Sequence, residues 1–131
     1  MIQLKRVYDA AASEDGERFL VERLWPRGIK KSKLRMDAWL KDVGPSTALR
    51  QWFGHDPKRW DEFRRRYFQE LEKNTEACKP MQRAAALGRV TLVYSSHDEE
   101  HNNAVALKEF LEGKWKGSET AERPRQRKAA A

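Results

Sequence analysis

A single cysteine, Cys78, stands in a chain of 131 residues. One thiol excludes an intrachain disulfide framework and a cysteine-based zinc site. Long apolar runs are also missing. None approaches the roughly 20 residues of a membrane-spanning helix, 36% of the chain is charged, and the mean hydropathy is −0.94. The N-terminus, MIQLKRVYDAAASEDG, carries no apolar block behind its charges, unlike a signal peptide. The seven glycines compose no GxGxxG, Walker A or GxSxG loop, and no cysteine–histidine nucleophile pair with a supporting partner is evident. These absences leave a soluble cytoplasmic protein with one core as the expectation, and no cofactor is implied.

What is present is charge. The formal net charge is +7. From Gly113 to Ala131 there are six Lys/Arg and two acids, so this stretch carries +4 and the body only +3. The stretch is polar, holds a proline and lacks apolar periodicity. It reads as a basic, disordered tail (113–131) on a single domain (1–112), giving solubility or a loose attraction to polyanions.

Along the chain, IQLKRVYD alternates as a strand, and AAASEDGE is a connector with room for a helical turn. RFLVERLW reads as a second strand ending before Pro26. Met36, Trp39, Leu40 and Val43 recur at helical spacing, closed by Gly44-Pro45. Ser46 takes an N-cap position before a short helix through Leu49, Trp52 and Phe53. Asp56 and Pro57 open a longer one with the stripe Trp60, Phe63, Tyr67, Phe68 and Leu71. KPMQRAAAL reads as a helix with Pro80 near its start, RVTLVYSS as a strand covered on both faces, and NNAVALKEFLEGK as the last helix. The order implies a small α/β fold. Its sheet is mostly parallel, with three or four strands, flanked by helices and with a helical insertion between the second and last strands.

Ligands of open α/β sheets bind beyond the carboxyl ends of the strands. Here those ends carry Tyr8-Asp9, Trp25-Pro26-Arg27-Gly28 and Tyr94-Ser95-Ser96-His97-Asp98. Arg23 and Arg27 are suited to clamp an anion, since a guanidinium bonds phosphate or carboxylate in a bidentate manner. Gly28 lets the backbone approach, Trp25 and Tyr94 can wall a pocket, and Asp9 can orient an arginine or act as a base. The alternative is structural, with Arg23 paired to Asp9 or Asp98 and Trp25 in the core. Ser46 and Arg50 mark a helix start that either binds an anion or is an ordinary cap. HDEEH (97–101) has histidines at zinc-motif spacing, but aspartate in the second position, and the only further histidine is His55, so no metal is expected. FRRRY (63–67) spreads three arginines over a helix, a weak nucleic-acid signal.

The segments KRVYD, VERLWPRG, DAWLKDVGPSTALRQWF, HDPKRWDEFRRRY and VTLVYSSHDEEHNNAVALKEFL together resemble the YeaO-like family. That family is a branch of a numbered family of unknown function (domain of unknown function four-eight-eight), and the likeness covers most of residues 2–112. The resemblance implies a bacterial-type cytosolic α/β protein without a settled activity. It carries over Tyr8, Asp9, Arg23, Trp25, Pro26, Arg27, Gly28, Ser46, Arg50, Tyr67, Tyr94 and Asn102. The family pattern has Asp in the slot of Glu22 and often an acid at Ala48. Three readings of function follow. One is a small anionic, phosphate-bearing or nucleotide-like ligand at the strand ends. Another is a nucleic-acid accessory role through the tail and Arg64–Arg66. The last is a dimerising or partner-binding module.

Overall fold

Four strands run parallel in the order β1-β4-β2-β3: β1 (Ile2–Arg6), β2 (Glu17–Leu20), β3 (Ala38–Trp39) and β4 (Val90–Tyr94). The structure, a computed structural model, describes residues 1–113. Four α-helices complete it: α1 (Thr47–Phe53), α2 (Trp60–Glu72), α3 (Thr75–Leu87) and α4 (Asn103–Leu111). The expected small parallel α/β sheet is therefore present, with three helices between β3 and β4. The tail from 114 onward lies outside the described residues.

β4 is buried along its whole length, as its apolar run implies. Alternation divides the sheet residues between two sides. Ile2, Phe19, Val21, Val90 and Leu92 join a core that draws residues from all four helices, including Phe53, Phe63, Tyr67 and Met81. Val7, Leu20 and Val93 pack with Leu34 in a smaller core, closed by Trp25, Ile29, Met36 and Trp39. Among the described residues no α-helix contributes to this second core. An irregular segment covers that side instead.

Three elements differ from the sequence reading. The second strand stops at Leu20 rather than Trp25. Val21 makes one more bond, N–H to the Val93 carbonyl (3.3 Å), and then the Glu22 carbonyl accepts the Trp39 indole N–H (2.6 Å). The alternation of VERLW is real, but the chain has left the ladder. The helical spacing of Met36–Val43 is instead a two-residue edge strand and a 3-10 turn (Lys41–Val43). Backbone bonds from Asp37 to Arg18 and from Leu40 to Leu20 fix the edge strand, so sheet pairing overrides the helical period. α3 also begins earlier than Pro80 suggested, which places that proline inside the helix.

The caps at Ser46 and Asp56 follow the sequence, and Asn102, expected at a ligand site, caps α4 instead. The Ser46 hydroxyl accepts from the Leu49 amide (3.1 Å), Asp56 from Lys58 (3.0 Å) and Asn102 from Val105 (3.0 Å).

On the helix-free side, polar ties do the holding. Asp15 sits in a 3-10 turn (Ser13–Asp15) and is 3% exposed. Its carboxylate accepts from Arg18 (2.5 Å), Lys5 (3.0 Å) and the Ala12 amide (3.0 Å). Its carbonyl accepts from Thr91 (2.7 Å). Arg18 Nε donates to the Arg35 carbonyl (2.6 Å), and the Arg18 amide to Asp37 (2.8 Å). Gly16 follows with φ 65° and lies so close to Arg89 that a β-carbon would stand 2.1 Å from its carbonyl oxygen. Only glycine fits there.

Burial opposes the Asp15 charge, but the bonds from Ala12, Lys5 and Arg18 outweigh it and hold the carboxyl below its ordinary value. Removing one partner of a buried pair costs about 3–5 kcal/mol. Asp15→Ala should lower unfolding free energy by that order in urea at pH 7. Because the folded pKa is depressed, this stabilisation is complete above the ordinary aspartate value of 3.8 and is lost as pH falls through the folded one. The gap between wild type and variant should therefore close in acid.

Candidate functional site

At the end of β1 the chain turns sharply. The Asp9 carboxylate accepts the Arg6 amide (3.1 Å), and the Asp9 amide returns to the Arg6 carbonyl (3.0 Å). This throws Tyr8 outward, 45% exposed. Its hydroxyl donates to the Arg27 carbonyl (2.6 Å), and the Arg6 guanidinium lies 4.8 Å from its ring centre. Arg6 is itself fixed by the Ser96 (2.9 Å) and Ser95 (3.2 Å) carbonyls. Tyr8 thus bridges the β1 turn to the segment that begins at Arg27. Between them opens a cleft of about 280 Å³, lined by Val7, Tyr8, Asp9, Arg18, Gly28, Ile29, Lys33, Leu34 and Arg35, together with Ala10 and Ala11. Gly28 has φ 76° and open space where a side chain would stand, so the backbone is accessible there.

The segment forming the cleft wall is RGIKKSKLR (27–35), with five cations and no acid in nine residues. Lys31 lies over the Trp25 and Trp39 rings, 5.7 and 5.4 Å from their centres. Arg27, Lys30, Lys33 and Arg35 are exposed, and their side chains have no ion-pair or hydrogen-bond partner among the described residues. Residues 1–113 hold 21 Lys/Arg and 18 Asp/Glu, a balance of +3. This one segment carries +5, so the remainder of the described chain is net −2. Unpaired like charges side by side repel one another, and an anion relieves that repulsion.

The residues expected at the site divide between the cleft and the scaffold. Tyr8, Asp9 and Gly28 line the cleft, and Arg27 joins them through its carbonyl. Arg23 lies elsewhere, its Nε donating to the Gly44 (3.1 Å) and Pro45 (2.8 Å) carbonyls. Trp25 donates to the Ile29 carbonyl (2.7 Å) and meets Trp39 edge-on at 5.3 Å, which pins the base of the cationic segment. Ser46 caps α1 and is held by Glu70, amide and hydroxyl both (2.8 and 2.6 Å). Arg50 is exposed on α1. Tyr94 is buried in the helical core, and burial lifts its phenol above the ordinary value. Asn102 is buried, capping α4 and donating to the Asp98 carbonyl (2.9 Å).

Sequence reasoning passed over Lys30, Lys33, Arg35 and the buried Arg18. For Lys30, Lys33 and Arg35 the signal was the acid-free run of cations over 27–35. It also passed over the role of Glu22. That carboxylate accepts the Ser95 amide and hydroxyl, each at 2.8 Å. Burial lifts its pKa, against the lowering effects of Ser95 and His55. Its charge therefore costs stability progressively as pH rises from the ordinary glutamate range through the folded value.

The other sequence motifs are absorbed locally. Arg64 makes a two-pronged pair with Glu109 (2.9 Å twice). Arg65 and Arg66 share Glu62 (2.6 and 2.7 Å), whose carboxyl they hold at about 2. His101 bonds Asp98 (3.0 Å) and packs edge-on against Trp60. Among the described residues no group of three or more His, Cys, Asp or Glu is disposed to hold a metal ion, and no helix is long and apolar enough to cross a membrane.

The chain matches the family model DUF488-N3i, described as the inactive DUF488-N3 subclade, over residues 1–129. It is 43% identical over 110 residues to the uncharacterized protein YeaO of Escherichia coli (strain K12), covering 84% of this chain and 96% of that one. It is 37% identical over 113 residues to the uncharacterized protein Rv3073c of Mycobacterium tuberculosis (strain ATCC 25618 / H37Rv), covering 86% and 95%. The same figures hold for the uncharacterized protein Mb3100c of Mycobacterium bovis. No solved structure matches it significantly. On these matches the chain belongs to the DUF488-N3i family.

Proposed function

We propose that this protein binds a small phosphate-bearing or nucleotide-like anion in the cleft beside Tyr8, and does so in the bacterial cytoplasm without catalysing a reaction. The observation that carries this reading is the set of exposed cations without partners around one concave site: Lys33 and Arg35 in its wall, Arg27 and Lys30 beside it. Lys33 and Arg35 supply charge-assisted hydrogen bonds to phosphate oxygens. Gly28 offers an unobstructed backbone, and Tyr8 an aromatic wall with its hydroxyl already engaged. Asp9, the one carboxylate in the lining, shapes the β1 turn through the Arg6 amide and repels a ligand's negative charge from that end. The description of the family as an inactive subclade supports a binding role. So does the strand-end crevice, where Glu22, Arg23 and Ser46 spend hydrogen bonds on the fold itself.

Isothermal titration at low salt with pyrophosphate and with nucleoside diphosphates tests the reading. Lys33→Glu and Arg35→Glu should each weaken binding about ten-fold or more, the loss of one charge-assisted contact. An unchanged affinity in both variants refutes the site. Arg23→Ala separates scaffold from site. It should cost about 1–3 kcal/mol in urea unfolding, because the Gly44 and Pro45 carbonyls lose a charged donor. Ligand affinity of the folded variant should stay the same.

A further inference from the structure

We infer that the cleft is one station on a longer surface that binds single-stranded nucleic acid, with the phosphate chain lying along residues 27–35 and a base stacked at Tyr8. The inference rests on the anion-binding reading above and extends it from a small ligand to a polymer.

The first argument is the mismatch between charge and volume. A cleft of about 280 Å³ falls at the small end for ligand sites and holds one nucleotide-sized unit. Lys33 and Arg35 already meet the needs of its phosphate. Arg27 and Lys30 add exposed charge beside the lining rather than in it. A polyanion uses all four. The localisation points the same way: with +5 in nine residues and net −2 over the rest of the described chain, the surface field is focused on this segment.

The second argument is the aromatic ring. Tyr8 is 45% exposed and rigidly held, by its hydroxyl on the Arg27 carbonyl and by the Arg6 guanidinium at 4.8 Å. A fixed ring beside backbone-tracking cations is the arrangement that binds unstacked bases. It has no purpose against a duplex, whose base faces are hidden, and the irregular segment is neither the helix nor the two-stranded ribbon that enters a major groove. An acidic peptide or an anionic membrane would use the cations but leave Tyr8 without a role, and among the described residues the segment is flanked in sequence by strands β2 and β3 rather than by an amphipathic helix that could enter lipid.

Fluorescence anisotropy of the full chain tests this, with labelled single-stranded RNA and DNA of about 12 nucleotides, a span typical of such sites. Wild type should bind the single strands with an affinity that falls steeply with salt. Replacing Lys30, Lys33 and Arg35 together by Gln should weaken binding at least ten-fold and make the slope of log K against log salt shallower by about 2, at about 0.7 per phosphate released. Lys30→Arg with Lys33→Arg should retain binding. Tyr8→Ala should weaken it about five-fold or more and leave the slope unchanged, whereas Tyr8→Phe keeps the ring and most of the affinity. Replacing Arg123, Arg125 and Arg127 by Gln isolates the tail, and the loop's share of the slope should persist in that variant. Circular dichroism confirms that each variant is folded. The inference is overturned if the loop variant keeps its slope, or if a duplex or phosphatidylserine vesicles bind as tightly as the single strand. A mononucleotide, AMP, separates the two readings. Loop-dependent binding of AMP as tight as that of the oligonucleotide removes the polymer and leaves the anion site. Failure of both probes removes both readings.

Discussion

The buried guanidinium of Arg18 is the constraint on which the helix-free side of the sheet depends. A charge taken out of water must be matched by a partner and by hydrogen bonds. Asp15 supplies the charge, and the Arg35 carbonyl supplies a further acceptor. Those two contacts join the turn after β1, the start of β2 and the end of the cationic segment into one unit. The apolar contribution on this side is small, resting on Val7, Leu20, Leu34 and Val93 and the rings packed around them. Geometry here is therefore set by directional polar bonds. With Asp15 committed to Arg18 and Lys5, the 27–35 cations are left facing water.

The helical side was legible in the sequence because its pattern and its burial coincide. The stripe Phe63, Tyr67, Phe68 and Leu71 is buried as its spacing implies, and the caps at Ser46 and Asp56 make their bonds. The other side was less legible, for a physical reason. VERLW alternates like a strand, but its Glu22 carbonyl is captured by Trp39, seventeen positions away, and no local pattern announces that bond. The consequence reached the site. Arg23 and Arg27 would share a face on a continuing strand. Once the chain turns, Arg23 serves the Gly44-Pro45 corner while Arg27 belongs to the cleft wall. The charge run of 27–35 was visible throughout. Its place in the fold was not, because a run of cations in an irregular segment has neither the helical nor the strand period that assigns residues to a face.

The crevice beyond the strands is satisfied from within. Ser95 is bonded to Glu22, Ser46 to Glu70, Asn103 to the Val21 carbonyl (2.7 Å), and the Tyr67 hydroxyl to the Val43 carbonyl (2.5 Å). These polar groups are committed to bonds within the fold.

The two-residue length of β3 has a consequence for how molecules meet. A sheet edge is a template for another chain's backbone, and long flat edges invite open-ended association. Here one edge is Ala38–Trp39, too short to register a foreign strand, with Lys31 and Lys41 over the Trp39 ring. The opposite edge, β1, ends in Lys5 and Arg6. One rim of the sheet is thus limited by its brevity, and both carry positive charge, features that disfavour edge-to-edge pairing of strands.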